Sequence, residues 1–128
     1  MSRKILIIDD DTDLVEALRM TLEGAGFEVI DAQDGKRGVE LVKKEDPDLI
    51  LLDVMMGTQD EGFHVAYEIR NDAQSADIPI IMLTAVGQET GFQFDVEKDE
   101  DFLPVNAFIE KPVNPDALIE LVKSNLGY

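Results

Sequence analysis

Residues 49–53 read LILLD, four consecutive apolar residues followed directly by an aspartate. The run has the length of a strand, and it lacks the alternation of polar and apolar residues that marks a strand with one face in water. It therefore predicts a strand that is covered on both faces. Three further runs of this kind occur along the chain, at residues 5–8, 80–83 and, more weakly, 107–109. Residues 27–32 partly alternate, which favours a fifth strand nearer the edge of the sheet.

Segments of helical period fill most of the gaps between these runs. Asp13 and Glu16 have capping-box spacing near the start of the first segment, and Asn114 followed by Pro115 predicts the start of the last. Strands that alternate with helices predict an α/β fold with a parallel sheet and helices on both faces. The apolar positions that carry the helical period are Leu14, Leu18, Leu22, Val39, Val42, Phe63, Ala66, Ile69, Leu118, Leu121, Val122 and Leu126.

One segment departs from this rhythm. Residues 86–106 lack sustained helical spacing, and five acidic residues lie within seven positions from Asp95 to Asp101. Like charges at this density disfavour compaction. We therefore predict a long loop with at most a short helical turn, and we expect residues 87–105 to be the most mobile or irregular part of the fold.

Length and composition limit the possible classes of protein. The 128 residues predict one domain over residues 1–128. The 11 Lys and Arg residues against 28 Asp and Glu residues, a net charge of −17, argue against a surface for nucleic acid or for anionic membranes. The absence of cysteine excludes disulfides, Cys-ligated zinc and thiol nucleophiles. Because the apolar runs are only four residues long, nothing in the sequence spans a membrane, and a cytoplasmic protein is the default expectation.

Polar residues follow the apolar runs at the points where the strands end. Asp9, Asp10 and Asp11 follow the first run, Asp53 the run at 49–52, Thr84 the run at 80–83, and Glu110, Lys111 and Pro112 the last. Ligands bind at the carboxyl ends of the strands in parallel α/β sheets. Several carboxylates in one place repel one another unless a cation joins them, and all-oxygen ligands favour Mg²⁺. A carboxylate held near a divalent ion and a lysine can act as a nucleophile towards a phosphoryl group.

Other interpretations of the same residues remain open at this point. Asp11 or Asp13 can serve as a helix N-cap, and His64, without a second His or any Cys, is expected to be a solvated or packing residue. An EF-hand loop starting at Asp9 is excluded, because Leu14 and Met20 stand where Gly and Glu are needed. The run IIDDDTD is similar to the DxDx[TV] motif of haloacid-dehalogenase-like phosphatases, although neither register of the motif fits it fully.

Taken together, four motifs resemble the receiver domain of two-component response regulators over essentially the whole chain. They are ILIIDDD at 5–11, LILLDVMM at 49–56, IIMLTA at 80–85 and FIEKP at 108–112. The spacing from the acidic pair to the aspartate, then to Thr-Ala and to Lys-Pro, makes the joint resemblance specific. It implies a (βα)₅ doubly wound fold with a five-stranded parallel sheet in the order 2-1-3-4-5, here with an irregular fourth helix region.

The resemblance also implies roles for individual residues. Asp53 resembles the phosphoacceptor, Asp10 the direct ligand of Mg²⁺ or Mn²⁺, and Asp9 its partner acting through water. Met55 resembles the residue that supplies a backbone carbonyl to the metal. The resemblance further implies the following roles: Thr84 as the switch hydroxyl, Lys111 as the phosphoryl-binding ammonium, Phe108 as the switch aromatic, and Pro112 as the site of a cis peptide bond.

The sequence departs from the family pattern in two places. Met56-Gly57 replaces the usual Met-Pro, and the family's Asp-Gly becomes Asp60-Glu61-Gly62, one residue longer. The stretch from Thr84 to Lys111 is about five residues longer than the family's usual length. We therefore expect the phosphorylation chemistry to be retained more closely than any family-standard partner surface.

The resemblance implies a protein that accepts a phosphoryl group from a sensor histidine kinase or a histidine phosphotransfer protein and acts through an unidentified protein output partner. It is not expected to be an enzyme beyond self-phosphorylation from a phosphodonor and autodephosphorylation. It can be a stand-alone regulator or a fragment of a longer protein. Two alternatives are a haloacid-dehalogenase-like aspartyl-phosphate phosphatase and a pseudo-receiver, a folded but unphosphorylated acidic docking module.

Overall fold

The computed structural model describes residues 3–54, 61–85 and 105–127. Within these ranges five strands and four helices alternate along most of the chain. The strands are β1 (Lys4–Ile8), β2 (Glu28–Ala32), β3 (Leu49–Asp53), β4 (Ile80–Ala85) and β5 (Ala107–Lys111). The helices are α1 (Thr12–Gly24), α2 (Gly35–Glu45), α3 (Glu61–Asn71) and α4 (Pro115–Asn125).

The five strands form one parallel sheet in the order β2-β1-β3-β4-β5. This confirms the predicted α/β class and strand order. β3 lies at the centre, where Leu52 is in register with Ile8 on one side and with Met82 on the other. β2, the strand with the partly alternating sequence, lies at one edge as predicted.

The core is divided by the sheet into two layers. Side chains of a strand point alternately to opposite faces, so each apolar run supplies both layers. In β3, Ile50 and Leu52 pack with residues of α2 and α3, whereas Leu49 and Leu51 pack with residues of α1 and α4. All four are fully buried. The absence of polar residues in the runs is therefore explained by helices on both faces, as predicted.

The helix caps agree with the sequence in part. Asn114 caps α4 by accepting a hydrogen bond from the Ala117 N–H, with Pro115 in the first turn, as predicted. The cap of α1 is Asp11, which accepts from the Leu14 N–H. The predicted capping box at Asp13 is thus wrong. Asp13 lies in the first turn instead, where its negative charge interacts favourably with the helix dipole.

Two expectations concern residues that the structure does not describe. The predicted mobile segment at 87–105 lies outside the described residues except for Val105, which is half-buried and packs against the α2–α3 layer. Gly57 and its loop likewise lie outside them.

Among the helices of residues 3–54, 61–85 and 105–127, none combines the length and the apolar character needed to cross a membrane.

Arg70 joins the end of α3 to the start of the edge strand β5. Its guanidinium donates to the carbonyl oxygens of Ala76 at 3.1 Å and Ile78 at 2.6 Å, and to Asn106 Oδ1 at 2.7 Å. The same Asn106 oxygen accepts from the Ile80 N–H at 2.9 Å, and the Asn106 N–H donates to the Ile80 carbonyl at 2.8 Å. Burial lowers the pKa of Arg70, with partial compensation from Asp77. Arg70 therefore helps to hold β5 beside β4.

We predict that Arg70→Ala destabilises the fold by about 2 kcal/mol, because several carbonyl acceptors lose a charged donor. Arg70→Lys should restore only part of this loss, since an ammonium lacks the fork geometry of the guanidinium. Urea denaturation measures both changes. The control is Arg37→Ala, which removes only an exposed pair with Glu40 and should change stability by less than about 0.5 kcal/mol. Equal effects of the two alanine variants would contradict the assignment.

Candidate functional site

Three charged side chains from three different strands meet at the carboxyl end of the sheet. Asp9 follows β1 directly, Asp53 is the last residue of β3 and Lys111 is the last residue of β5. Each lies two residues after a member of the core layer that packs against α1 and α4, namely Ile7, Leu51 or Ile109. Because side chains alternate along a strand, the three charged groups point to the same side of the sheet.

The ammonium of Lys111 lies between the two carboxylates. Its Nζ is 3.3 Å from Asp9 Oδ2 and 3.2 Å from Asp53 Oδ1. Asp9 is fully buried and Asp53 is 6% exposed. Neighbouring strands lie roughly 5 Å apart, and β4 separates β5 from β3. The Lys111 side chain therefore has to reach across more than one such spacing, and its length allows this. This pairing brings together three residues predicted from the sequence.

The second oxygen of Asp9 is held by the backbone at the start of α1. Asp9 Oδ1 accepts a hydrogen bond from the Asp11 N–H at 2.9 Å, and Asp11 itself caps the helix. The Asp9 N–H in turn donates to the carbonyl of Ala32 in β2. Asp9 is therefore fixed in orientation, and the role of Asp11 is that of a helix cap that also orients its neighbour.

The pKa values of this group reflect burial and charge together. Burial raises the pKa of Asp9, and the Asp11 N–H and the Lys111 ammonium offset this only in part. Burial on its own would lower the pKa of Lys111, but Asp9 and Asp53 outweigh it, so that this pKa is raised. Lys111 consequently remains charged at neutral pH.

The residues at this end of the sheet fit a hard divalent cation. Oxygen atoms of Asp9, Asp10 and Asp53 all lie within 4.8 Å of one another. Asp10 is exposed, so the cluster is open to solvent on one side. Asp9 Oδ2 is buried and accepts no hydrogen bond from the described residues, although it forms an ion pair with the Lys111 ammonium. All-oxygen donors of this charge suit Mg²⁺, which retains several waters.

Two further candidates lie on the strands next to the carboxylates. Thr84 is half-buried near the end of β4 and is in register with Glu110, one residue before Lys111. Phe108 is half-buried in β5, in register with Met82, and packs against the α2–α3 layer. The peptide bond between Lys111 and Pro112 is cis, as the resemblance implies.

The remaining candidates lie elsewhere. Met55, implied as a backbone ligand of the metal, is outside the described residues. His64 is exposed on α3, facing the groove between α2 and α3. The sequence analysis did not predict the contact of Gly62 with the end of β3, where the Gly62 N–H donates to the carbonyl of Val54 at 3.0 Å. A glycine at the start of a helix was the available signal, but only the structure shows what it approaches.

A doubly wound sheet of this order, with an acidic cluster and a lysine at its carboxyl end, has the architecture of a signal-receiving domain. A family model of the response regulator receiver domain matches residues 5–123. The chain therefore belongs to the response regulator receiver family, which confirms the resemblance found in the sequence.

Solved structures of similar proteins agree with this assignment. A protein described as a response regulator from Chloroflexus aurantiacus is 30% identical, with a TM-score of 0.86 and complete coverage, 100%, of both chains. The receiver domain protein (CheY-like) from Methanospirillum hungatei is 27% identical, with a TM-score of 0.81 over 99% of this chain and 95% of that one. Chemotaxis protein CheY4 of Vibrio cholerae is 27% identical, with a TM-score of 0.82 over 97% and 98% of the two chains.

We predict that Asp9→Asn stabilises the protein at pH 7 in the absence of divalent ions. The pKa of Asp9 is raised above its ordinary value of 3.8, so the folded state binds this proton more tightly than the unfolded chain does. The contribution of Asp9 to stability therefore falls as the pH rises through its folded pKa. The melting temperature of Asp9→Asn should exceed that of wild type at pH 7, and this difference should disappear as the pH is lowered towards 3.8, where Asp9 becomes protonated in the folded protein.

Thermal unfolding at a series of pH values in chelator measures this difference. Asp13→Asn is the matched control, because it is the same chemical change at an exposed aspartate outside the charged cluster, and it should not raise the melting temperature at pH 7. A destabilisation by Asp9→Asn that is greatest at pH 7 would contradict the sign.

Proposed function

We propose that this protein accepts a phosphoryl group on Asp53 from a phosphohistidine of a sensor histidine kinase or a histidine phosphotransfer protein. The observation that carries the proposal is the placement of Lys111, whose ammonium lies 3.2 Å from the Asp53 carboxylate and 3.3 Å from Asp9. Membership of the receiver family supports the same chemistry.

In the transfer step, a carboxylate oxygen of Asp53 attacks phosphorus and the bond from phosphorus to the donor imidazole nitrogen breaks. The imidazole leaves and takes up a proton from solvent. Lys111 stands beside the acceptor oxygen, so its charge counters that of the incoming phosphoryl oxygens. Hydrolysis later returns Asp53 to its carboxylate form by attack of water on phosphorus, with release of phosphate.

Asp10 and Asp53 would hold Mg²⁺, or Mn²⁺ in its place, with Asp9 acting through water and the backbone carbonyl of Met55 as a further ligand. The bound ion supplies positive charge to the phosphoryl oxygens. The support for Asp9, Asp10 and Asp53 is the clustering of their oxygens within 4.8 Å. Met55 rests on the family resemblance alone.

The response to phosphorylation would pass through Thr84 and Phe108. Thr84 is the second-last residue of β4, which lies between β3 and β5, and this position supports a hydroxyl that follows a change at Asp53. Phe108 is only half-buried, which leaves an aromatic side chain able to change its packing. A rearrangement of these two residues would alter the surface that a protein output partner contacts.

In this proposal residues 1–128 form one signalling domain in the cytoplasm, which contacts neither nucleic acid nor membrane. Its only chemistry is its own phosphorylation and dephosphorylation. Family membership favours this function over a haloacid-dehalogenase-like phosphatase. A pseudo-receiver that binds partners without phosphorylation is the second candidate. The ion pairing of Lys111 with Asp53 argues against it, because a docking module has no need of a cation at that carboxylate.

We predict that incubation with Mg²⁺ and acetyl phosphate adds one phosphoryl group to the wild-type protein and none to Asp53→Asn. The amide lacks the nucleophilic carboxylate oxygen. Intact mass spectrometry measures the addition, and Asp13→Asn, the same chemical change at an exposed site, should be labelled like wild type. Full labelling of Asp53→Asn would refute the assignment, and an unlabelled wild-type protein would favour the pseudo-receiver.

We predict that Asp10→Ala weakens Mg²⁺ binding at least tenfold, about 1.4 kcal/mol, because one of only two or three charged ligands is lost. Isothermal titration calorimetry measures the affinity. Asp11→Asn is a suitable control, since asparagine keeps the helix cap and removes one neighbouring charge outside the ligand set. An Asp10→Ala protein that binds Mg²⁺ like wild type would rule out the proposed role of Asp10.

A further inference from the structure

The first turn of α3 lies directly on the backbone at the end of β3. Gly62 is buried, and its N–H donates to the Val54 carbonyl at 3.0 Å. Val54 is also held from the sheet, because its N–H donates to the carbonyl of Leu83 in β4 at 3.1 Å. The peptide units that follow the Asp53 side chain are thus held between a helix and a strand.

A side chain at Gly62 does not fit this arrangement. A Cβ built there would lie 2.7 Å from Val54 Cα and 2.8 Å from Val54 O, and closer still to the Asp53 carbonyl oxygen. These are backbone atoms, which cannot escape by changing rotamer. The Val54 N–H is hydrogen-bonded to the Leu83 carbonyl in β4, so the end of β3 cannot move away from α3 without straining that hydrogen bond. Either α3 or the Asp53–Val54 backbone has to shift.

Another buried glycine provides a contrast. A Cβ at Gly38 in α2 would also be too close to its neighbour, at 2.5 Å from Ile8 Cδ1. The three nearest atoms all belong to the side chain of Ile8 in β1 and none to the backbone, so its accommodation need not move the backbone. Gly38 and Gly62 therefore differ in what they approach and not in whether they are crowded.

We infer that Gly62 is a positioning residue for the phosphoacceptor site, an inference that rests on the function proposed above. By allowing α3 to touch the Asp53–Val54 backbone, it sets the position of the Asp53 carboxylate relative to Asp10 and Lys111.

The required displacement is large enough to matter for chemistry. Moving a backbone contact from 2.7 Å to an ordinary van der Waals distance takes several tenths of an ångström. Functional groups have to be held within roughly 0.5 Å of their productive geometry. Alanine would ordinarily favour a helix over glycine, so a loss of function in Gly62→Ala would run against helix propensity.

The experiment compares Gly62→Ala with two other glycine-to-alanine variants of the full chain. Gly38→Ala is the steric control, and Gly24→Ala, with nothing within 4 Å of its added Cβ, is the control for helix propensity. For each protein we would measure the melting temperature, the Mg²⁺ affinity by calorimetry at a temperature well below the melting point, and the initial rate of phosphorylation by acetyl phosphate.

We expect Gly62→Ala to bind Mg²⁺ at least tenfold more weakly and to be phosphorylated about 10- to 100-fold more slowly. Gly24→Ala should match wild type in both measurements. Gly38→Ala should lose thermal stability but keep its Mg²⁺ affinity within about twofold.

Three results would overturn the inference. The first is a folded Gly62→Ala protein whose Mg²⁺ affinity is within about twofold of wild type. The second is an equal loss of affinity in Gly38→Ala, since general destabilisation would then explain both. The third is a Gly62→Ala protein that does not fold even in the cold with a stabilising osmolyte, since the glycine would then serve the whole fold. If the wild-type protein is not phosphorylated, the proposed function fails, while the Mg²⁺ measurements still decide the role of Gly62.

Discussion

The pairing of one ammonium with two buried carboxylates is the constraint on which the rest of this structure depends. Asp9 directly follows β1 and Asp53 ends β3, and these strands are neighbours at the centre of the sheet, where little water can screen the repulsion between the two carboxylates. Lys111 makes this arrangement tolerable, and it comes from the edge strand β5, two strands away from β3. The site therefore exists only when β5 is docked in the correct register. An unbalanced pair of carboxylates in its place would destabilise the strands that carry them.

The docking of β5 is secured at its opposite end. Asn106 forms two hydrogen bonds with the backbone of Ile80, and Arg70 holds the Asn106 side chain from the end of α3. β5 is the least buried strand of the sheet, because each of its residues is at least partly exposed, so its own apolar contacts are a weak source of register. Polar contacts at one end of the strand thus support the placement of Lys111 at the other, some five residues away.

α3 links the two ends of the sheet in a similar way. In its first turn Gly62 contacts the backbone beside Asp53, and in its last turn the Arg70 side chain reaches Asn106 at the start of β5. The contact at Gly62 is between backbones, whereas the contact at the other end is made by the Arg70 guanidinium. One element, α3, therefore contacts both the backbone at Asp53 and the start of the strand that carries Lys111, and it was apparent in the sequence only as a short run of helical period.

The sequence by itself determined the fold class and which residues make up the charged cluster. Continuous apolar runs can occur only where both faces of a strand are covered, and polar residues directly after such runs have to lie at one edge of a parallel sheet. That logic identified Asp9, Asp10, Asp53 and Lys111 without coordinates. Only the tertiary structure decided that Asp11 and not Asp13 caps α1, that Arg70 anchors β5, and that Gly62 touches the end of β3. The contacts of Arg70 and Gly62 join different elements, and their proximity depends on how helices pack on the sheet, a distance that neither periodicity nor local spacing encodes.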